Sequence, residues 1–308
     1  MRIMSSAAES AFEGYRDIIP DFSSFQESLG QPLPVHFRIN RLKVQPHVLL
    51  PLLRERGITL QPAITADGPF FMAPQVESVG RLLEYFLGYL HPQALTSCIA
   101  ALVLSPKPSS FVLDMCAAPG GKTSHMAELM GNTGLIIANE LFTKRQIPLA
   151  HTLARLGVSN TVVTGYQAQE FPLRQRFDYI LADVPCSGEG RWRTAGRTPR
   201  PSGYHRATKL PDMQKRMICR GFDLLTEKGE MLYATCTYNP EENEAVVDFL
   251  LKHRKARCLP IDAPFAGEPG ICEWKKEKYD KALRRTVRFY PHRLDSVGFF
   301  MARIGRTS

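Results

Sequence analysis

No apolar stretch in the 308 residues approaches the roughly 18 that a membrane-spanning helix requires. The segment from Met1 to Pro20 lacks a charged head followed by an apolar run, so no secretory signal is expected. Internal repeats and low-complexity tracts are also missing. The seven cysteines are an odd number in a chain this long and form no CxxC pair. That argues against a disulfide framework and a dithiol or zinc site, and for a reducing compartment; a cytoplasmic location is expected. No histidine pair with metal-ligand spacing lies near the motifs described below, so no metal is expected. What remains is ordinary globular composition, 44% hydrophobic and 22% charged, which excludes global disorder. The length suggests about two domains.

Charge is the first positive signal. Lys and Arg exceed Asp and Glu by nine, and between Arg191 and Arg220 nine basic residues face one acid, Asp212. A basic stretch this concentrated is the footprint of a polyanion partner, although a solvated loop would look the same. Eight more basic residues lie between Lys275 and Arg293, partly as surface decoration.

Punctuation by proline and glycine divides the chain. The first 35 residues read as helical at best, ending near Pro32 and Pro34. An extended HFRIN, a helix from Pro46 to Arg56 and an extended ITLQPAI form a small α/β module. An apolar helix over Ala94–Leu104 leads to the turn-rich SPKPSS, residues 105–110, placing a boundary between 1–105 and 106–308. Strands are then expected at Phe111–Met115, Leu135–Asn139, Asn160–Thr164, Phe177–Asp183 and Glu230–Thr235. Helices are expected at Lys122–Met130, Thr143–Leu156, Asp212–Leu225 and Glu241–His253. Almost wholly apolar strands separated by helices predict a mostly parallel sheet covered on both faces, an α/β fold of Rossmann-like type. Arg284–Tyr290 and Gly298–Ile304 are expected to pair as an antiparallel edge hairpin. Ligands in such folds sit at the carboxyl ends of the strands.

The loop after the first of these strands reads LDMCAAPGGKT. Its small residues, Cys116, Ala117, Ala118, Pro119, Gly120 and Gly121, let backbone N–H groups approach a ligand, and the helix start at Lys122 favours an anion. A P-loop would need glycine at 116, which is cysteine, and the G-x-G-x-x-G spacing is absent. A smaller anion such as a carboxylate fits better than a pyrophosphate. Glu140, about 20 residues on, suits ribose hydroxyls. Together these describe S-adenosylmethionine as well as a nucleotide; a helix-capping acid would look like Glu140 too.

Two thiols follow at two strand ends. FDYILAD delivers Asp183-Val184-Pro185-Cys186, and GEMLYAT delivers Cys236-Thr237. Parallel neighbouring strands would set both on one rim. CAAPGGKT, DVPCSGEG and TCTYNPEENE, with RINRLK, GYLHPQALTS and RFYPH…GFFMARI, resemble the RNA cytosine-5 methyltransferase family (the NOL1/NOP2/Sun group) from about His36 onward. The resemblance implies an S-adenosylmethionine-dependent catalytic domain, with residues 1–105 as an RNA-binding region.

It also implies roles. Cytosine C5 becomes nucleophilic only after a thiolate adds to C6; the family uses the thiol of the TCT motif, here Cys236, with Cys186 assisting release and Asp183 as the acid at the base's edge. Lys122 is placed near the active site, favouring a thiolate or contacting RNA. Pro185 stiffens the loop, and Glu241, Glu242 and Asn243 read as helix capping. The family's usual acid at the adenine amino group is replaced by Gln167, whose amide oxygen still accepts a hydrogen bond. Arg38, Asn40, Arg41 and Lys43, and the interleaved Arg191, Trp192 and Arg193, are expected to contact RNA, with Trp192 as a stacking platform or a packing residue. The expectation is a monomer that methylates C5 of a cytosine in ribosomal or transfer RNA. A non-catalytic RNA-binding or assembly factor and a DNA-directed enzyme are the competing readings. No further RNA-binding domain is expected after GFFMARI.

Overall fold

The computed structural model describes residues 12–63, 70–73, 76, 79–193, 209–265 and 267–307. Two sheets organise it. The smaller holds β1 (His36–Ile39), β2 (Gln61–Pro62), β3 (Phe70–Met72) and β4 (Leu90–Pro92), antiparallel in the order β2-β3-β1-β4. Helix α1 (Phe22–Leu29) precedes it and α2 (Pro46–Glu55) lies within it. Phe37, Ile39, Leu49, Leu53, Phe71 and Leu90 close its core.

The larger sheet begins at β5 (Phe111–Asp114), β6 (Leu135–Asn139), β7 (Thr161–Thr164), β8 (Phe177–Asp183) and β9 (Leu225–Thr235), parallel in the order β9-β8-β5-β6-β7. Helices α3 (Leu95–Leu104), α4 (Gly121–Leu129), α5 (Thr143–Arg155), α6 (Leu210–Asp223) and α7 (Glu244–His253) cover it. Continuous apolar strands are buried because both faces carry helices. After α7 come β10 (Ala256–Leu259), β11 (Glu268–Pro269), the small pair β12 (Glu273–Trp274) and β13 (Glu277–Lys278), β14 (Val287–Phe289) and β15 (Phe299–Arg306). The expected pairing of the last two runs is present as β14 against β15, but β15 also runs antiparallel along β9 and carries β10 beside β14. The pair is an antiparallel hairpin at that edge of the sheet, with β15 as its inner strand, a place that its fully apolar FFMA start suits. Among the described residues no helix is long and apolar enough to cross a membrane.

Packing sets the seam ahead of the expected boundary at 105. Ile99, Ala100, Ala101 and Leu104 of α3 share a core with Val112, Met126 and Leu232 of the larger sheet and its helices. Helix α1 departs from the module as well: Phe22, Phe25 and Leu29 pack with Trp192, Tyr238 and Tyr290.

Two residues expected to touch RNA, Arg38 and Asn40, build this seam instead, and Lys43 lies at its exposed margin. β1 is buried along its length, Phe37 and Ile39 entering the module core while Arg38 points to α4. Arg38 is fully buried, ion-paired to Glu128 and donating to Ser124 Oγ at 2.9 Å. Asn40 Nδ2 donates to the carbonyls of Gly88 (2.9 Å) and Leu156 (2.8 Å). Lys43 Nζ donates to Leu87 O at 3.0 Å, its stem lying against Gly157. The polar side chains of RINRLK close the ends of α4 and α5 onto the module, which leaves Arg38 and Asn40 without access to a phosphate.

Burial holds Glu128 above the ordinary carboxylate range despite Arg38 beside it, so the pair is desolvated. Arg38→Ala should therefore cost about 3–5 kcal/mol by leaving a buried charge unpaired. Urea unfolding should show the loss, and Arg38→Met with Glu128→Leu should recover most of it.

Candidate active site

Three strand ends, those of β5, β8 and β9, open on one cavity of about 530 Å³. Its wall includes Asp114, Cys116, Ala117, Ala118, Pro119, Gly121 and Lys122 from the first strand and its loop, and Asp183, Pro185, Cys186 and Cys236 from the other two. The expected loop residues thus share a wall, except Gly120, which turns toward Leu149 and Thr152 of α5.

The thiols meet because β8 and β9 are parallel neighbours in a register that pairs Asp183 with Ala234. Cys186 Sγ and Cys236 Sγ lie 3.3 Å apart, and the Cys236 backbone N–H also donates to Cys186 Sγ at 3.3 Å. Both are half-buried and neither forms a disulfide. Their contact raises the Cys186 thiol, with burial adding to the rise, and draws Cys236 below the ordinary thiol value, against burial and Asp183 and with help from Lys122 and Arg191. Of the two thiols, Cys236 is the one drawn toward the thiolate.

Lys122 Nζ lies 2.6 Å from Asp183 Oδ2 and 5.5 Å from the centre of the Phe299 ring. Burial works against its charge, but Asp183 outweighs burial and raises its pKa, so it stays an ammonium. Deeper in the wall, burial pushes Asp114 up to about 7; Thr123 Oγ1 donates to its Oδ2 at 2.7 Å while Oδ1 has no partner.

The two motif loops are braced by a network that a capping role for Glu241, Glu242 and Asn243 does not describe. The helix starts at Glu244, and the preceding residues turn inward. Glu242 is fully buried; its Oε2 accepts from the Ser187 backbone N–H (2.9 Å) and Gln214 Nε2 (3.0 Å). Asn243 Nδ2 donates to Thr237 O at 3.0 Å, and Thr235 Oγ1 donates to Asn243 Oδ1. Only Glu241 is exposed, ion-paired with Lys275. Gly190 N–H donates to Cys236 O at 2.9 Å, and a Cβ on Gly190 would lie 2.2 Å from Gly298 O, so glycine is required where these backbones touch.

Other expected residues divide. Arg191 is exposed and on the cavity wall. Trp192 is buried, 5.6 Å ring-to-ring from Phe12, and is a packing residue rather than a stacking platform. Arg193 is buried too, donating to Trp192 O (2.8 Å) and Ser296 O (2.7 Å), and is withdrawn from any nucleic-acid surface. Of the rest of the basic stretch, 194–208 lies outside the described residues, while Lys215, Arg216 and Arg220 belong to α6. Glu140, at the end of β6, is buried: its Oε1 accepts from Phe142 N–H (3.1 Å), and its Oε2 lies 3.1 Å from Arg145 Nη1 without hydrogen-bond alignment. Gln167 is exposed beyond β7, its Oε1 accepting from Gln169 Nε2 at 2.9 Å. Neither reaches the cavity wall. His91, Gln93, Ser97, Arg145, Val297 and Phe299 do, and sequence reading did not assign them there. GYLHPQALTS was the available signal for the first three.

Among the described residues no group of three or more metal-ligating side chains occurs. Residues 101–305 match the family described as 16S rRNA methyltransferase RsmB/F. The tRNA (cytosine(49)-C(5))-methyltransferase of Pyrococcus abyssi is 36% identical over 93% of this chain and 92% of its own. The human 28S rRNA (cytosine(4447)-C(5))-methyltransferase is 34% identical over 95% of this chain; this chain spans only 37% of that protein. Among solved structures, a methyltransferase homolog from Pyrococcus horikoshii superposes with TM-score 0.80 at 31% identity, over 92% of this chain and 90% of that one.

The thiol geometry predicts a pH profile. Alkylation of Cys236 by iodoacetamide, followed by mass spectrometry, should show a midpoint below 9, the ordinary thiol value. Lys122→Met removes a charge that favours the thiolate, so it should move that midpoint to higher pH.

Proposed function

The chain belongs to the RsmB/F methyltransferase family, and from that footing we propose that it methylates C5 of a cytosine in RNA, with S-adenosylmethionine as donor and Cys236 as nucleophile. One observation carries the reading: two thiols 3.3 Å apart, beside a Lys122–Asp183 ion pair, on the wall of one cavity that a glycine loop also lines.

The residues present suit the donor. The carboxylates of Asp114 and Asp183 on the cavity wall suit a sulfonium cation, and the uncapped start of α4 suits a carboxylate. The loop 116–122 would hold the methionyl part, and Glu140, off the cavity wall and ion-paired with Arg145, would take ribose hydroxyls once that pair opens. When bound, the donor supplies an electrophilic methyl group.

The chain's own groups do the rest. Cys236 thiolate adds to C6 of the base, placing electron density at C5. Lys122 keeps a positive charge beside that thiolate and holds Asp183 at 2.6 Å, where the carboxylate can accept from the base's amino edge. After C5 is methylated, the C5 proton must go to a base as the C5–C6 double bond reforms and the C6–S bond breaks. Cys186, 3.3 Å from Cys236, is the group placed for that release: it passes its proton to the departing Cys236 sulfur and, as thiolate, takes the C5 proton.

RNA is the substrate class that the family relatives' names support, ribosomal in some and transfer in others. Exposed Arg191 at the cavity rim is positioned for a flanking phosphate. A stacked base must leave its helix to enter such a cavity, at a cost of a few kcal/mol.

The test uses radiolabelled donor and total RNA. Cys236→Ala should abolish methyl transfer. Cys186→Ala should retain the first bond and accumulate a protein–RNA adduct that survives denaturing electrophoresis. An adduct with Cys236→Ala and none with Cys186→Ala would reverse the two roles, and no label in any RNA would refute the reading.

A further inference from the structure

We infer that His91, on β4 of the small module, donates a hydrogen bond to the carboxylate of the methyl donor's amino-acid part, completing an anion site at the start of α4. The inference rests on the donor assignment made above and names a residue from outside the catalytic sheet.

The geometry begins with Arg155. Its Nη2 lies 3.0 Å from His91 Nδ1, and a guanidinium nitrogen can only donate. Nδ1 is therefore the acceptor, which leaves the ring hydrogen on Nε2. The imidazole is 8% exposed, so more than nine-tenths buried, yet it is on the cavity wall. Nε2 has no hydrogen-bond partner among the described residues, and it is absent from the solvent-inaccessible unpartnered atoms. It is a donor turned toward the cavity.

Nε2 also lies where the loop meets its helix. A Cβ built on Gly121 would sit 3.1 Å from it, so glycine at this position leaves the space that the imidazole occupies. Gly121 is the first residue of α4, and no side chain caps that end. The first-turn N–H groups of a helix have no intrahelical acceptors. Those donors and Nε2–H lie on the same part of the cavity wall. Burial, with the cations of Arg38 and Arg155, holds the imidazole neutral down to about 3, so the tautomer persists at every working pH. Donors of this kind, next to the loop 116–122, fit a carboxylate; a backbone phosphate would share that chemistry from another source.

Binding measurements separate the sources. Calorimetry compares S-adenosylhomocysteine with 5′-methylthioadenosine, which lacks the amino-acid part. His91→Leu should weaken S-adenosylhomocysteine about ten-fold, the effect of one charged hydrogen bond, and leave methylthioadenosine unchanged. His91→Gln returns an N–H donor near the Nε2 position and should restore much of the loss. Unfolding temperatures of both variants check the fold. Equal weakening of both ligands, or no weakening of S-adenosylhomocysteine, overturns the assignment. A loss confined to RNA affinity also overturns it and moves the donor to a phosphate. If the wild-type protein binds neither nucleoside, the donor reading itself falls, and this assignment with it.

Discussion

The parallel register of β8 and β9 is the constraint from which the site follows. Two sulfurs 50 residues apart in sequence come within 3.3 Å because their strands run side by side and end at the same height. Neither strand alone makes a reactive thiol. Together they bring the sulfurs within hydrogen-bond reach, a contact that draws Cys236 below the ordinary thiol value and Cys186 above it. Lys122 then acts across the gap from a third strand's loop, so the electrostatics depend on β5 lying next to β8. Shifting the register would separate all three groups together.

Around this rim the buried charges do structural work. Glu242 holds the loop of one cysteine from beneath while Asn243 holds the loop of the other. Arg288 and Glu244 pair fully buried behind them. Arg38 and Glu128 close the module onto α4. A buried ion pair adds little net stability against an apolar alternative, but it penalises every misplaced arrangement in which one partner is left alone. In this protein such pairs sit at seams between elements, where alignment governs the shape of the cavity.

Much of this was legible in the residues. The five parallel strands announced themselves as apolar runs between amphipathic helices, and the loop 116–122 and both thiols were placed at strand ends that do meet. The errors share a cause. Arg38, Asn40 and Arg193 were read by residue type, as polar and charged groups suited to nucleic acid, whereas burial decides what such groups contact; of the two readings open for Trp192, packing is the one present. Glu242 and Asn243 have the composition of a helix start, yet tertiary partners drew them inward and delayed the helix to Glu244. The β14–β15 hairpin was legible at the sheet edge; which of its two strands lies against β9 was not, because both are apolar runs. His91 was hidden for a related reason: a lone histidine in a strand says nothing until Arg155, 64 residues away, fixes its tautomer.

That interior place for β15 has a bearing on how the molecule is made. Residues 299–306 lie along β9 and carry both β10 and β14, so three neighbours wait for one late segment. Tyr290 in turn holds Ile18 across 272 positions, and α1 seats on the same aromatic cluster. Contacts of such long sequence separation form slowly, since their loop-closure entropy must be met first. The edge of β9 therefore stays unpaired until residues 299–306 have been made, and the strand that ends at the two sulfurs is among the last to gain both its neighbours.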